Sequence, residues 1–297
     1  MALTRTARRL LLGREIAYML RTSGVRQAEA ARLIGYAQSK LNNVLSGLTT
    51  IPVGDLKMLA EALGVTDAGY IDQLLQLCRE SKQPRGYWTS GHRRVYREDL
   101  RLLIDLEEVA NRFRVTESEI VPGLLQSEQY VRALHEHVVS DDPTMTVEDW
   151  VQARLERQRN LVKPDAPRYH AILSESALRR EYGDPLGDVM LDQLRHLQWL
   201  GTEIRNITIQ VLPFSTRVAG GGMEDRFTLI RVPSPGQAGD LELAFVESLG
   251  EVRYVLDKHP VQAREAVFER LSAAALSERD SMSFISHIAR TIERQRS

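Results

Sequence analysis

Between Leu10 and Ser23 the apolar residues Leu12, Ile16, Met19 and Leu20 recur at every third or fourth position, which predicts a helix with one buried stripe. The same period returns over 27–34, 38–45, 53–63 and 68–80, so the amino-terminal stretch reads as five short helices. Within it, residues 26–47 (RQAEAARLIGYAQSKLNNVLSG) form a pair of helices around a glycine-centred turn. Gly35 stands where a helix end takes positive φ, and a second helix begins within three residues, the spacing of a helix-turn-helix. Ala30, Ala31 and Ile34 point inward, and the small Ala31 allows a close helix crossing. Wound at about 100° per residue, 38–45 gathers Leu41, Val44 and Leu45 on one arc and Gln38, Ser39, Asn42 and Asn43 on the other.

Amide and hydroxyl side chains match the donor and acceptor patterns of base edges, whereas an ordinary solvated helix face carries Glu and Lys. The candidate reading edge is therefore Gln38, Ser39, Asn42 and Asn43, with Lys40 beside it. Gln27 opens the leading helix, where its amide and the open backbone N–H groups suit a DNA phosphate. The competing reading is a plain helical hairpin in a small bundle. Charge argues against it: residues 1–65 hold nine Lys or Arg against four Asp or Glu, while the whole chain has a net charge of -1. Arg5, Arg8 and Arg9 precede the first helix, either as an arm that tracks phosphates or as a disordered basic tail.

Beyond residue 80 the pattern changes. Pro84, Gly86, Ser90 and Gly91 break any regular period, which marks 82–95 as a linker between a DNA-binding domain at 1–81 and a second domain at 96–297; Tyr87 and Trp88 are expected to pin it to one of them. The second domain mixes helical segments at 98–109, 127–134, 146–162, 175–181, 185–200, 261–276 and 282–295 with strand signals at 112–120, 169–173, 207–212, 227–232, 241–246 and 252–256. The expected class is multidomain: an all-α five-helix domain, then an α+β domain with a mixed or antiparallel sheet and carboxy-terminal helices. A chain of 297 residues has room for both cores.

The lone cysteine, Cys78, lies on an apolar helix face and excludes an intrachain disulfide, so a reducing, cytoplasmic setting is expected. No apolar run approaches the roughly 20 residues of a membrane span. No catalytic or metal-binding constellation has adequate spacing. His135 and His137 of HisGluHis point to different sides of a helix, the other histidines are scattered, and the glycines at 220–222 lack the Lys and Ser or Thr of a phosphate loop. No cofactor, metal or enzymatic activity is expected. The candidate partner or ligand surface is Leu124, Leu125 and Gln126, at a strand-to-helix corner that reads first as plain packing, together with Arg154 and Arg157. That arginine pair shares a helix face and either receives an anion or acidic partner or forms internal ion pairs with Glu148, Glu156 or Asp141 and Asp142.

The run Gln27, Ala31, Gly35, Leu41, Val44 and Gly47, followed by Leu59, Ala60 and 63–65 (LGV), resembles the Xre and phage-repressor type of five-helix DNA-binding domain. That resemblance implies a phosphate contact for Gln27 and major-groove contacts for Gln38, Ser39 and Asn43, with Asn42 close by. Leu45 departs from it, standing where the family often has Glu. The segments 120–126 (IVPGLLQ), 154–158 (RLERQ), 190–194 (MLDQL) and 211–214 (VLPF) resemble the domain that follows the helix-turn-helix in actinobacterial WhiJ-like regulators. This second resemblance implies a regulator often paired with a small companion protein. The expectation is a repressor that binds double-stranded DNA, an inverted-repeat operator, as a homodimer, with a second domain that senses a companion protein or ligand. An antitoxin-like module that sequesters a small partner is the alternative.

Overall fold

The computed structural model describes residues 5–83, 94–136, 144–182, 188–219, 223, 225–248 and 251–296. The expected linker lies mostly outside these residues, as do Tyr87, Trp88, His92, His137, Asp141, Asp142 and Gly220 to Gly222. The chain divides into two compact units, neither of them a single stretch. The first takes 1–93, 98–109 and 232–241; the second takes 94–97, 110–231 and 242–297.

In the first unit, α1 (Ala7–Ser23), α2 (Gln27–Leu33), α3 (Gln38–Leu45), α4 (Val53–Ala62) and α5 (Ala68–Glu80) are joined by α6 (Arg101–Val109). The Thr6 side chain accepts from the Arg9 N–H and starts α1 early. Arg8 and Arg9 are therefore helical rather than part of an arm. Arg8 pairs with Glu80 at 3.3 Å, and Arg9 Nε donates to the Ser81 carbonyl. The core closes on Leu12, Ile16, Leu41, Leu56, Leu59 and Leu74, all buried. Cys78 is fully buried, with Sγ 3.1 Å from the Ile51 carbonyl, and burial raises its thiol pKa.

The second unit is a six-stranded mixed sheet in the order β3-β2-β1-β4-β5-β6. Its strands are β1 (Arg112–Glu117), β2 (Arg168–Ser174), β3 (Ile207–Leu212), β4 (Phe227–Val232), β5 (Leu241–Ser248) and β6 (Glu251–Val255). β1, β2 and β3 run parallel, as crossovers through helices require: α7 (Glu128–His135) and α8 (Val147–Gln158) precede β2, and α9 (Glu175–Arg179) and α10 (Asp188–Glu203) precede β3. β4 is antiparallel to β1 and β6 to β5. The carboxy-terminal helices are α11 (Lys258–Ala274) and α12 (Glu278–Arg296).

One face of the parallel strands is apolar as far as Glu117 at the end of β1, with Phe113, Val115, Tyr169, Ala171, Ile207 and Ile209 buried. Along the other face β2 changes character, from Arg168 through His170 to Ile172. Ile172, Phe227 and Leu229 of the sheet and Val261, Phe268 and Leu271 of α11 form one cluster.

Candidate nucleic-acid interface

Three glycines build the helix-turn-helix. α2 ends in a Schellman turn, with Gly35 at φ +66°, its N–H bonded to the Arg32 carbonyl and the Tyr36 N–H to the Ala31 carbonyl. Gly47 after α3 and Gly64 after α4 repeat the arrangement with positive φ. A fourth glycine sets how deep α3 sits. A Cβ on Gly13 of α1 would come within 2.3 Å of the Leu45 carbonyl oxygen, so only glycine lets the two helices approach this closely.

On this base α3 shows two faces. Leu41 and Val44 are fully buried, while Gln38, Ser39, Lys40 and Asn42 are exposed and Asn43 is half-buried. All five polar residues thus lie on or beside one accessible edge. Gln27 is half-buried at the first position of α2, where the Arg26 side chain makes no capping bond; Ala37 likewise leaves α3 without a side-chain cap. The backbone N–H groups at both helix starts keep the capacity to bind an anion.

Lys40 is held in place by a residue that the sequence pattern did not single out. Its Nζ lies 3.4 Å from the centre of the Tyr36 ring, and the Tyr36 hydroxyl donates to Asp55 Oδ2 at 2.6 Å. Burial, with the Asp55 carboxylate beside it, pushes the Tyr36 phenol far above its ordinary pKa, so it stays a donor. The positive charge near the reading helix is also narrower than the count suggests. Arg8 and Arg9 serve the α1 to α5 contact, and Arg14 donates to the carbonyls of Ala238 and Asp240. Arg21, Arg26 and Arg32 remain exposed with Lys40.

A second element missed in the sequence lies behind the reading head. Glu15 on α1 is fully buried. Its carboxylate accepts from the Tyr70 hydroxyl at 2.7 Å, the Ser234 hydroxyl at 2.5 Å, and the N–H groups of Gln237 at 3.0 Å and Ala238 at 3.1 Å. A Cβ on Gly236 would meet the Glu15 carboxyl carbon at 2.4 Å. The loop between β4 and β5 therefore wraps a carboxylate of the DNA-binding unit. Asp105 on α6 adds a second tie, accepting from the Ala7 N–H. The available signal was an acid within the apolar stripe of α1, followed much later by a Ser-Pro-Gly turn.

The residues proposed as a partner surface in the second unit are largely interior. Leu124, Leu125, Gln126 and Arg157 are buried and Arg154 is half-buried. Gln126 does not point into an open cleft: Nε2 donates to the Val121 carbonyl at 2.8 Å, and its backbone carbonyl accepts from the Gln158 side chain. Gln193, also buried, ties the same corner by donating to the Leu125 carbonyl and accepting from the Ser127 N–H. Apolar side chains and bonded amides make this corner structural. The Arg154 guanidinium lies where a Cβ on Gly123 would stand, so a side chain there would displace it. Arg157 lies 5.1 Å over the Tyr96 ring, and Glu148 pairs with Arg132.

Among the described residues no cluster of three or more His, Cys, Asp or Glu could hold a metal ion, and no helix is long and apolar enough to cross a membrane. A helix-turn-helix domain family matches residues 11–69, which covers α2 and α3 and supports a DNA-binding regulator. Among curated proteins and solved structures, none matches the chain. A domain of unknown function, DUF5753, matches residues 100–287, more than half of the chain, and the protein belongs to that family, with a helix-turn-helix domain ahead of the family's own domain.

Proposed function

We propose that the protein is a sequence-specific transcriptional repressor that binds an inverted-repeat operator as a homodimer and has no enzymatic activity. The observation that carries this reading is the accessible amide and hydroxyl edge of α3, set on a helix whose Leu41 and Val44 are fully buried on the other side. Such an edge is chemically suited to bases, and the N-termini of α2 and α3 to backbone phosphates. One helix-turn-helix reads only a few base pairs, so two-fold pairing on half-sites about one turn, or 10 base pairs, apart is the natural route to specificity. In this reading the protein is a member of the WhiJ-like group, and its sheet unit answers to a companion protein or ligand. The β4–β5 loop, bonded to Glu15, is the route by which that signal reaches α1.

The test uses an operator found by genome-wide mapping of the binding sites. Asn43→Ala or Gln38→Ala should weaken operator binding by about 1–3 kcal/mol and leave binding to random DNA nearly unchanged. Gln27→Ala should weaken both alike, because a phosphate contact carries no direct sequence information. Equal losses on both DNAs for the α3 variants would end the assignment of this edge as the reader.

A further inference from the structure

The sheet unit contains a cleft of about 590 Å³ over the amino-terminal ends of β1, β2 and β3. Its polar lining comes from alternate residues of adjacent strands. Register places Arg112 opposite Arg168 and Arg114 opposite His170, and His170 in turn opposite Thr208; Arg205 stands just before β3. α11 covers the apolar half of this face through Phe268, against which the His170 ring packs edge-on at 4.9 Å. The charged half is left as an open hollow.

The charges in the hollow are not balanced. Arg112 bridges Glu242 and Glu265, Arg114 bridges Glu265 and Glu269, and Arg231 lies 3.9 Å from Glu242. Those three guanidinium groups and three carboxylates neutralise one another. Arg168 and Arg205 remain, both exposed, with no carboxylate within 4.0 Å among the described residues. Two like charges directly opposite on paired strands, Arg112 and Arg168, destabilise a sheet unless a counter-charge sits between or above them.

His170 adds a polar group of fixed orientation. Gln210 Nε2 donates to the carbonyls of Ser272 and Leu276, which turns its Oε1 toward His170 Nε2 at 2.7 Å. That nitrogen must carry the hydrogen, which fixes the ring tautomer.

We propose that this arginine-lined cleft binds a small phosphate-bearing anion. Planar guanidinium forks match phosphate oxygens in pairs, and the volume falls within the range of small-molecule sites, roughly 300–1,000 Å³. Concavity and four arginines in the lining favour a compact, highly charged ligand over the backbone of a duplex. The inference gives the sheet unit a ligand class and stands on that unit alone, so its failure would leave the DNA assignment untouched.

Inorganic pyrophosphate serves as the probe, titrated calorimetrically into the full chain at low salt. Saturable binding is expected, weakened at least about tenfold in the Arg168→Gln/Arg205→Gln double variant and unchanged in Arg217→Gln, which removes an exposed charge elsewhere. In the unmodified protein, pyrophosphate should also protect Arg168 and Arg205 from phenylglyoxal, read by peptide mass spectrometry, so the outcome does not depend on variants that fold. Absence of saturable binding, or equal weakening in Arg217→Gln, would overturn the proposal. Loss of DNA affinity in the double variant without any pyrophosphate binding would also overturn it, by assigning these arginines to the DNA backbone.

Discussion

Two half-buried titratable side chains of the sheet unit oppose each other across one pH range. Glu117 ends β1 with its Oε2 buried and without a hydrogen-bond partner among the described residues. Burial raises its carboxyl from 4.5 to about 7, against the pull of Arg226. His135, stacked on Trp150 at 4.5 Å, is lowered from 6.5 to about 4 by burial and by Arg154. Glu117 keeps its proton in the folded state, so its contribution is complete below pH 4.5 and is lost as pH rises toward 7. His135 stays neutral when folded, so its contribution is complete above pH 6.5 and is lost as pH falls toward 4. Between pH 4.5 and 6.5 the two slopes cancel. Glu117→Gln should unmask the histidine: the variant should melt a few degrees higher than the parent chain at pH 7.5 and lose that advantage progressively as pH falls to 4.5. Thermal melts of the two chains across this range check it, since every other group is common to both. Parallel profiles would show that Glu117 is ionised in the folded protein throughout.

The reading helix depends on a crossing that no side chain of its own determines. α1 meets the end of α3 at Gly13, where an added Cβ would press on the carbonyl oxygens of Leu45 and Val44 at 2.3 and 2.8 Å. Both obstacles are backbone, so the helices must separate. Gly13→Ala should therefore destabilise the protein by about 1–3 kcal/mol despite the better helix propensity of alanine, and should weaken operator binding as α3 shifts. Denaturant melts and operator titration read the two effects; a stabilised variant with full affinity would show that the crossing is looser than drawn. Within the same elements, legibility in the sequence followed locality. α3 and α5 run as their periods predict, Gln38–Leu45 and Ala68–Glu80, because an apolar stripe and a local stop signal define each. α1 begins before Leu10 because a threonine cap outweighed the expectation of an arm. The edge of α3 was legible because one helix carries it whole. The arginine cleft was not, although Arg112 and Arg114 alternate as do Arg168 and His170, since only sheet pairing brings strands so distant in sequence side by side. The corner at 121–126 was visible as a motif, yet its role in packing rests on Gln193 and Gln158, which local pattern cannot place.

At the scale of the molecule, the DNA-binding unit is completed by chain that belongs, in sequence, to the rest of the protein. The segments 98–109 and 232–241 join α1 to α5 in one compact unit, and the matched helix-turn-helix at 11–69 is only its centre. The second of these segments begins at the end of β4 and finishes at the start of β5, and it is bonded to α1. α1 in turn abuts α3 at Gly13. The link that matters is the Glu15 carboxylate inside the Ser234 to Ala238 loop, and a double-mutant cycle isolates it. Gly236→Ala alone should be destabilising, because its Cβ would meet a carboxylate that Tyr70, Ser234, Gln237 and Ala238 hold in place. Glu15→Ala alone should be destabilising as well, by leaving those donors unpaired in the interior. With both changes the added methyl occupies space that the carboxylate has vacated, so the double variant should be more stable than the sum of the two losses by about 0.5–3 kcal/mol. Equilibrium unfolding of the four full-length chains measures this difference directly. Strict additivity would mean that Glu15 and Gly236 do not touch, and the β4–β5 loop would then have no mechanical claim on the reading head.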